Sequence, residues 1–218
     1  KLLAGNTLTV NGNVVDNTAT GEMSGTNAVV NAGKLNNRGL IDSQANTQIN
    51  AGTLNNIGTG RIYGNAISIS AGTLTNEAET VGGATTAATI ASRGDLDIGV
   101  GSLTNREHAL IFSSGSMYIG GTLDANRQAT GQGSVLSNLS ADIQSLGDMN
   151  ISMANVDNRD VHIQLGTPTS ASSVVVGIAP VTPVGSGVGR TTQYTMDEVN
   201  LDPVNGFVYR KDTGEMVG

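Results

Sequence analysis

Asp95 and Asp97 are the acids best spaced for chemistry. They flank Leu96 in the run Gly94-Asp95-Leu96-Asp97-Ile98. In an extended chain alternate side chains share a face, so both carboxylates point outward, one pleat apart. Two carboxylates across a glycosidic bond can cleave it, one as the acid and the other as base or nucleophile. Aligning the related segments puts Ser116 and Asp148 in line with Asp95, and the columns around the two acids offer Ser, Tyr and Asn. No acidic cluster builds up, and no Arg or Lys lies close by in the same strands. Exposed acids in that setting solvate a surface, and catalysis is not expected. His108 and His162 each lack a second His or a Cys at ligand spacing, so zinc is not expected either. The run Gly185-Ser186-Gly187-Val188-Gly189 is rich in glycine but lacks the Lys-Ser/Thr of a phosphate loop, and reads as a corner. Neither a Gly-x-Ser-x-Gly elbow nor a Gly-Gly-x-Gly-x-Asp calcium repeat occurs. The chain therefore reads as a structural or binding protein, not an enzyme, with no catalytic, metal or cofactor site. Tyr194, Phe207, Tyr209, Arg210 and Lys211 form the one cluster of residue types favoured at interaction hot spots. The same aromatics also suit packing of the C-terminal segment.

The elements that carry these residues are set by a repeat. Gly52-Thr53-Leu54-Asn55-Asn56 recurs as Gly33 to Asn37, Gly72 to Asn76 and Gly101 to Asn105. Looser copies are centred on Val15, Leu123 and Val156. Most steps are 19 or 20 residues, with longer ones of 29 (Leu74 to Leu103) and 33 (Leu123 to Val156). A fixed period of this length is the mark of a solenoid, in which each unit stacks on the one before. A second apolar pattern precedes each copy, as in Ile62 to Ile69, Ile90 to Ile98, Ile111 to Ile119 and Ile143 to Ile151, with Ile41 to Ile49 a looser version. Within it, Ile67-Ser68-Ile69 and Leu96-Asp97-Ile98 alternate with period 2, which is strand periodicity. No useful length shows helix periodicity.

A coil climbing one rung per repeat explains the constant register. Rungs stack at about 4.8 Å, so about seven make a rod on the order of 30 Å long. Leu35, Leu54, Leu74, Leu103 and Leu123 are then expected to stack inside. Asn37, Asn56, Asn76 and Asn105 should form an amide ladder at a corner. The crossovers favour a right-handed parallel β-helix. The two long steps mark insertions at Glu77 to Ala88 and roughly Arg127 to Ser140. Both are expected to leave the same corner, as surface loops or a binding face.

Composition agrees with many tight corners and few bulky core residues, with 30 glycines, six aromatics and no tryptophan or cysteine. Without cysteine, disulfides and thiolate chemistry are excluded. The net charge of −7 lacks the basic footprint of a nucleic-acid or anionic-membrane binder. No segment is apolar for long enough to span a bilayer. The ends show no signal peptide and stop in mid-pattern, as in a piece of a longer chain. Near residue 165 the period is lost, and all four prolines follow. The expected organisation is a repeat domain over 1–165, a Pro/Gly/Ser-rich linker or irregular extension over 166–190, and a β-meander over 191–218. Asp202-Pro203-Val204-Asn205-Gly206 and Lys211 to Gly214 are its turns. A meander there suits a cap on the last rung, whose edge is otherwise bare, or the start of another region.

The Ala-Gly-x-Leu-x-Asn element, as in Ala51 to Asn56 and Ala71 to Asn76, resembles the haemagglutinin repeat of filamentous-haemagglutinin-type exoproteins. So does the preceding pattern in Ile90 to Ile98. The resemblance covers roughly residues 8 to 158, with departures at Asn13 and Ala125. It implies a β-helical filament on the surface of a Gram-negative bacterium, secreted by a dedicated outer-membrane partner (two-partner secretion). The group includes adhesins and the CdiA effectors of contact-dependent growth inhibition, in which a receptor-recognition region follows a repeat block and a toxin lies at the far C-terminus. The expected function is a rigid stalk presenting a receptor-binding or toxin region to neighbouring cells. The alternative is an adhesin that binds host glycans or a protein receptor through its lateral loops. A polysaccharide-degrading β-helix enzyme fits less well, for want of a cleft of acids and cations.

Overall fold

The computed structural model describes residues 1–163, 197–202 and 204–216. By its contacts the chain divides into two units, Lys1–Ile163 and Gln164–Gly218.

The first unit is all-β, and no helix occurs among the described residues. Its strands build two long parallel sheets. Seven short strands form one: Leu2–Leu3, Glu22–Gly25, Leu40–Ser43, Arg61–Gly64, Thr89–Ser92, Leu110–Ser113 and Asp142–Ser145. The other carries the long strands Thr7–Asn17, Asn27–Asn37, Asn46–Ile57, Ala66–Val81 and Leu96–Arg106. Beyond Leu96–Arg106 each long strand is split in two. Met117–Gly120 and then Met149–Ile151 continue its first half, and Gly133–Leu139 and then Met153–Arg159 continue its second. The chain alternates between the sheets, and each strand pairs with its counterpart one repeat later. The architecture is consistent with a β-helix or another solenoid.

Register follows the apolar pattern. A slip of one residue would turn every inward side chain outward. Met23, Ile41, Ile62, Ile90 and Ile111 form one buried column of the short-strand sheet. Val30, Ile49, Ile69, Ile98 and Ile119 form another across the long strands. The column led by Leu35 runs through Leu54, Leu74 and Leu103 to Leu136. The looser copy over Ile41 to Ile49 has a local cause. Thr47 occupies the place of Ile67 and Leu96, fully buried, with its hydroxyl bonded to Ser43 Oγ and the Tyr63 carbonyl. In the last rung Met149, Ile151 and Val156 are exposed.

Leu136, not Leu123, pairs with Leu103, which corrects the expected column. The long steps therefore run from Leu74 to Leu103 and from Leu103 to Leu136. Gly121-Thr122-Leu123 imitates the repeat but begins an antiparallel hairpin, Thr122–Leu123 with Ala129–Thr130. The two insertions accordingly leave different places. The first extends the strand Ala66–Val81 and returns antiparallel along Ala84–Ala87, through a Gly82-Gly83 turn with φ of 60° and 84°. The second leaves one bend earlier, between Gly120 and Gly133.

In the second unit, Val199–Leu201 pairs antiparallel with Val208–Arg210, and Tyr209 bridges Met216. Val199 and Val208 are buried. Asp202 ties the turn: its carboxylate accepts from the backbone N–H of Val204 and Asn205 and from Asn205 Nδ2.

Candidate functional site

The repeat corner holds an unbroken amide ladder. Nδ2 of Asn17, Asn37, Asn56, Asn76, Asn105 and Asn138 each donates to Oδ1 of the next asparagine, ending at Asn158, at 2.8 Å every time. The second Nδ2 proton of the first five reaches the opposite sheet, onto the carbonyls of Leu40, Arg61, Thr89, Leu110 and Asp142. A buried polar group is tolerated only when it is bonded, and these amides are bonded both along and across the stack. At the far corner Ser92, Ser113 and Ser145 do similar work, each hydroxyl reaching two backbone carbonyls. Glycine begins the Gly-x-Leu-x-Asn element because rungs touch there. A Cβ on Gly52, Gly72 or Gly101 would stand 2.7–2.8 Å from the carbonyl oxygen of the glycine one rung before.

Arginines pin the first insertion. Arg38 donates Nε and Nη2 to the Glu79 carboxylate at 2.8 and 2.7 Å, Arg106 pairs with Glu77 at 2.6 Å, and Arg61 reaches the Ala87 carbonyl. The Arg38 guanidinium holds the Glu79 carboxyl below its ordinary value.

The second insertion reaches Asp97 and leaves Asp95 exposed. It lies against the long-strand sheet where that sheet has no side chains. A Cβ on Gly99 would come 2.3 Å from the Thr122 carbonyl carbon, and one on Gly120 would come 2.8 Å from the Thr130 carbonyl oxygen. Asp124 closes the tip by accepting from the N–H groups of Asn126 and Gln128. Arg127, with φ of 64°, reaches back over earlier rungs. Its guanidinium donates to Ser68 Oγ at 2.6 Å, to the Ser68 carbonyl at 3.2 Å and to Asn50 Oδ1 at 3.0 Å. Burial lowers its pKa from the ordinary arginine value. Asp97 accepts from the Ala129 N–H at 2.8 Å. Burial raises its pKa above the ordinary carboxylate value, and Asp95 and Asp124 push the same way. Asp95 instead accepts from the Ser116 N–H, locking the corner of the next rung. Between tip and sheet lies a groove of ≈ 340 Å³, with Asn46, Gln48, Ser68, Asp97, Asn126 and Arg127 among its walls. The expectation that no Arg or Lys lies close by concerned the same strands and did not reach Arg127, which the insertion brings to the wall of the groove that Asp97 also lines.

The two histidines do not stand alone. Their rings stack with centroids 6.2 Å apart, and His162 Nε2 lies 2.9 Å from Glu107 Oε2. The N–H of His162 and the Ser140 hydroxyl hold the Asp160 carboxyl below its usual range. Among the described residues no three His, Cys, Asp or Glu side chains are arranged to hold a metal ion.

Of the cluster expected in the tail, Phe207 is 44% exposed, Tyr209 is half-buried opposite Asn200, and Lys211 is exposed. Arg210 Nε lies 2.9 Å from Asp212 Oδ1, and this partner lowers the Asp212 pKa. Tyr194 lies outside the described residues. The chain matches no family model, no curated protein and no solved structure.

Proposed function

We propose that residues 1–165 are a section of a right-handed parallel β-helical stalk within a large secreted cell-surface filament. The filament is of the filamentous-haemagglutinin, CdiA-like kind, exported through an outer-membrane partner of a Gram-negative cell. The stalk holds a receptor-binding or toxin region away from the producing cell and toward its neighbours, as in contact-dependent growth inhibition. No catalytic role is assigned to it. The observation that carries this reading is the in-register stacking of all seven rungs on one amide ladder. Such a stack gains length one rung at a time, each rung stabilised by its neighbours. The repeat pattern in Ala51 to Asn56 and Ile90 to Ile98 supports the choice of family. No helix of the described residues is long and apolar enough to cross a membrane.

Recognition in this reading lies past the rungs, with Tyr194, Phe207, Tyr209, Arg210 and Lys211 as its first candidates. Labelled full chain incubated with intact Gram-negative cells provides the test. Replacing Phe207 and Tyr209 with Ala should abolish cell binding, and replacing Thr53 and Thr73 on the outer face should leave it unchanged. Loss caused by the threonine changes alone would move recognition to the rungs and sink the stalk reading.

A further inference from the structure

We propose that Asn205 is a site of spontaneous modification, losing its side-chain amide through a cyclic imide with the Gly206 nitrogen, and that the product unties the hairpin of the second unit. This goes beyond the stalk reading and does not depend on it. Asn-Gly occurs twice in the chain, at Asn11-Gly12 and Asn205-Gly206, and both asparagines are exposed. The backbone separates them. Asn11 and Gly12 lie inside the strand Thr7–Asn17, paired in register with Asn31 and Ala32, and Asn11 Oδ1 accepts from Asn31 Nδ2 at 2.7 Å. Closing an imide ring takes an asparagine out of the extended conformation, so that ladder must first come apart. Asn205 and Gly206 sit instead in the exposed turn at the tip of a two-stranded hairpin. Gly206 has φ of 73°, a region that favours glycine. Ring closure there releases the bonds of one turn: Gly206 N–H to the Asp202 carbonyl, and Asn205 N–H and Nδ2 to the Asp202 carboxylate. An exposed tip opens locally far more readily than the interior of a sheet.

The chemistry needs only water. The Gly206 amide nitrogen gives up its proton and attacks Asn205 Cγ, and no side chain on Gly206 shields that nitrogen. A C–N bond forms, the bond from Cγ to Nδ2 breaks, and Nδ2 leaves with the proton as ammonia. Water then opens the imide at one of its two carbonyls. One opening leaves a carboxylate on the ordinary backbone. The other routes the backbone through the side chain and lengthens it by a methylene. Either product removes the donor 2.9 Å from Asp202 Oδ2 and brings a negative charge beside that carboxylate. Like charges so placed disfavour one another. The Asn205 amide chiefly holds the Asp202 carboxyl below its ordinary value, so that value should rise once the amide is gone. The bond from the Asp202 N–H to the Phe207 carbonyl closes the hairpin, and it then loses the turn that supports it. The hairpin bearing Phe207 and Tyr209 therefore ages in one direction.

Peptide mapping by mass spectrometry of the full chain, fresh and aged in mildly alkaline buffer, tests the assignment. The peptide with Asn205 should gain the mass of an acid in place of an amide, and part of it should carry the lengthened backbone. The peptide with Asn11 should stay unchanged. Mildly acidic buffer should slow the reaction, because the attacking nitrogen must lose its proton. In the aged chain, hydrogen exchange should quicken at the Asp202 and Lys211 amides, both bonded across the hairpin, and stay as it was at Ile49 and Ile69. Asn205→Asp sets the charge in place without ageing, and should quicken the same two amides and raise the Asp202 pKa. Asn205→Gln cyclises poorly and should age without change at this turn. The proposal is overturned if Asn205 keeps its amide, if Asn11 loses its amide as fast, or if the aged hairpin exchanges as the fresh one does.

Discussion

Asn56 shows how much one side chain does in this fold. It accepts from Asn37, donates to Asn76 and donates to the Thr89 carbonyl across the corner. Asn56→Ala deletes all three bonds and leaves buried groups unpaired, at about 1–3 kcal/mol each before relaxation. A loss of about 3 kcal/mol in urea denaturation is expected. A loss below about 0.5 kcal/mol would mean that the ladder is ornamental. Asp97 acts in the opposite sense. Its folded pKa is raised, so its charged form opposes folding above that pKa, and the penalty fades as pH falls through it. Asp97→Asn should therefore raise the urea midpoint at neutral pH, with the gain shrinking toward acid. A gain that is the same at every pH would contradict the burial argument. Glu79 reverses the sign. Arg38 lowers its pKa, so its contribution is present above the ordinary carboxylate value and is lost as pH falls through the lowered one.

The second hairpin depends on bare backbone beneath it. Gly99→Ala puts a methyl group against the Thr122 and Leu123 backbone, which cannot rotate out of the way. The hairpin should lift while the rungs stay intact. Faster hydrogen exchange at the Ala129 amide and faster proteolysis at Asp124 to Gln128 would show it. Unchanged exchange at Ala129 would mean that the hairpin is not seated through Gly99. This element also marks where sequence reasoning ran out. The columns of Ile, Leu and Asn were legible because each rung repeats the same inward residues at nearly constant spacing. Gly121-Thr122-Leu123 has the right residues at the right step, yet its backbone turns into a hairpin, and only pairing distinguishes it from Val135-Leu136. Arg127 and the His108–His162 stack were hidden for a related reason. Each is a contact between rungs made by a residue outside the periodic strands, so no spacing in the sequence announces it.

Taken as a stack, the first unit gets its stability from neighbours more than from any one rung. Each interior rung is covered above and below by the same residue classes, and the buried columns pass through five consecutive rungs without a gap. A rung should therefore be an interchangeable part. The 19-residue step from Asn36 to Leu54 makes this testable, because Asn36 and Asn55 are paired in register. A second copy of residues 36–54 placed after Leu54 resumes the sequence at an equivalent point, with Leu, Ile and Asn returned to their columns.

The rung duplication tests the rigid-stalk account most directly. The chain has no cysteine, so Thr9→Cys and Asn155→Cys carry the only spin labels, and their separation can be read by pulsed electron resonance. With the extra rung in place, the distance distribution should stay narrow and move outward by about 5 Å, one strand spacing. An unchanged distance, with the added residues open to protease, would show that the rungs do not add and that the stalk account is wrong.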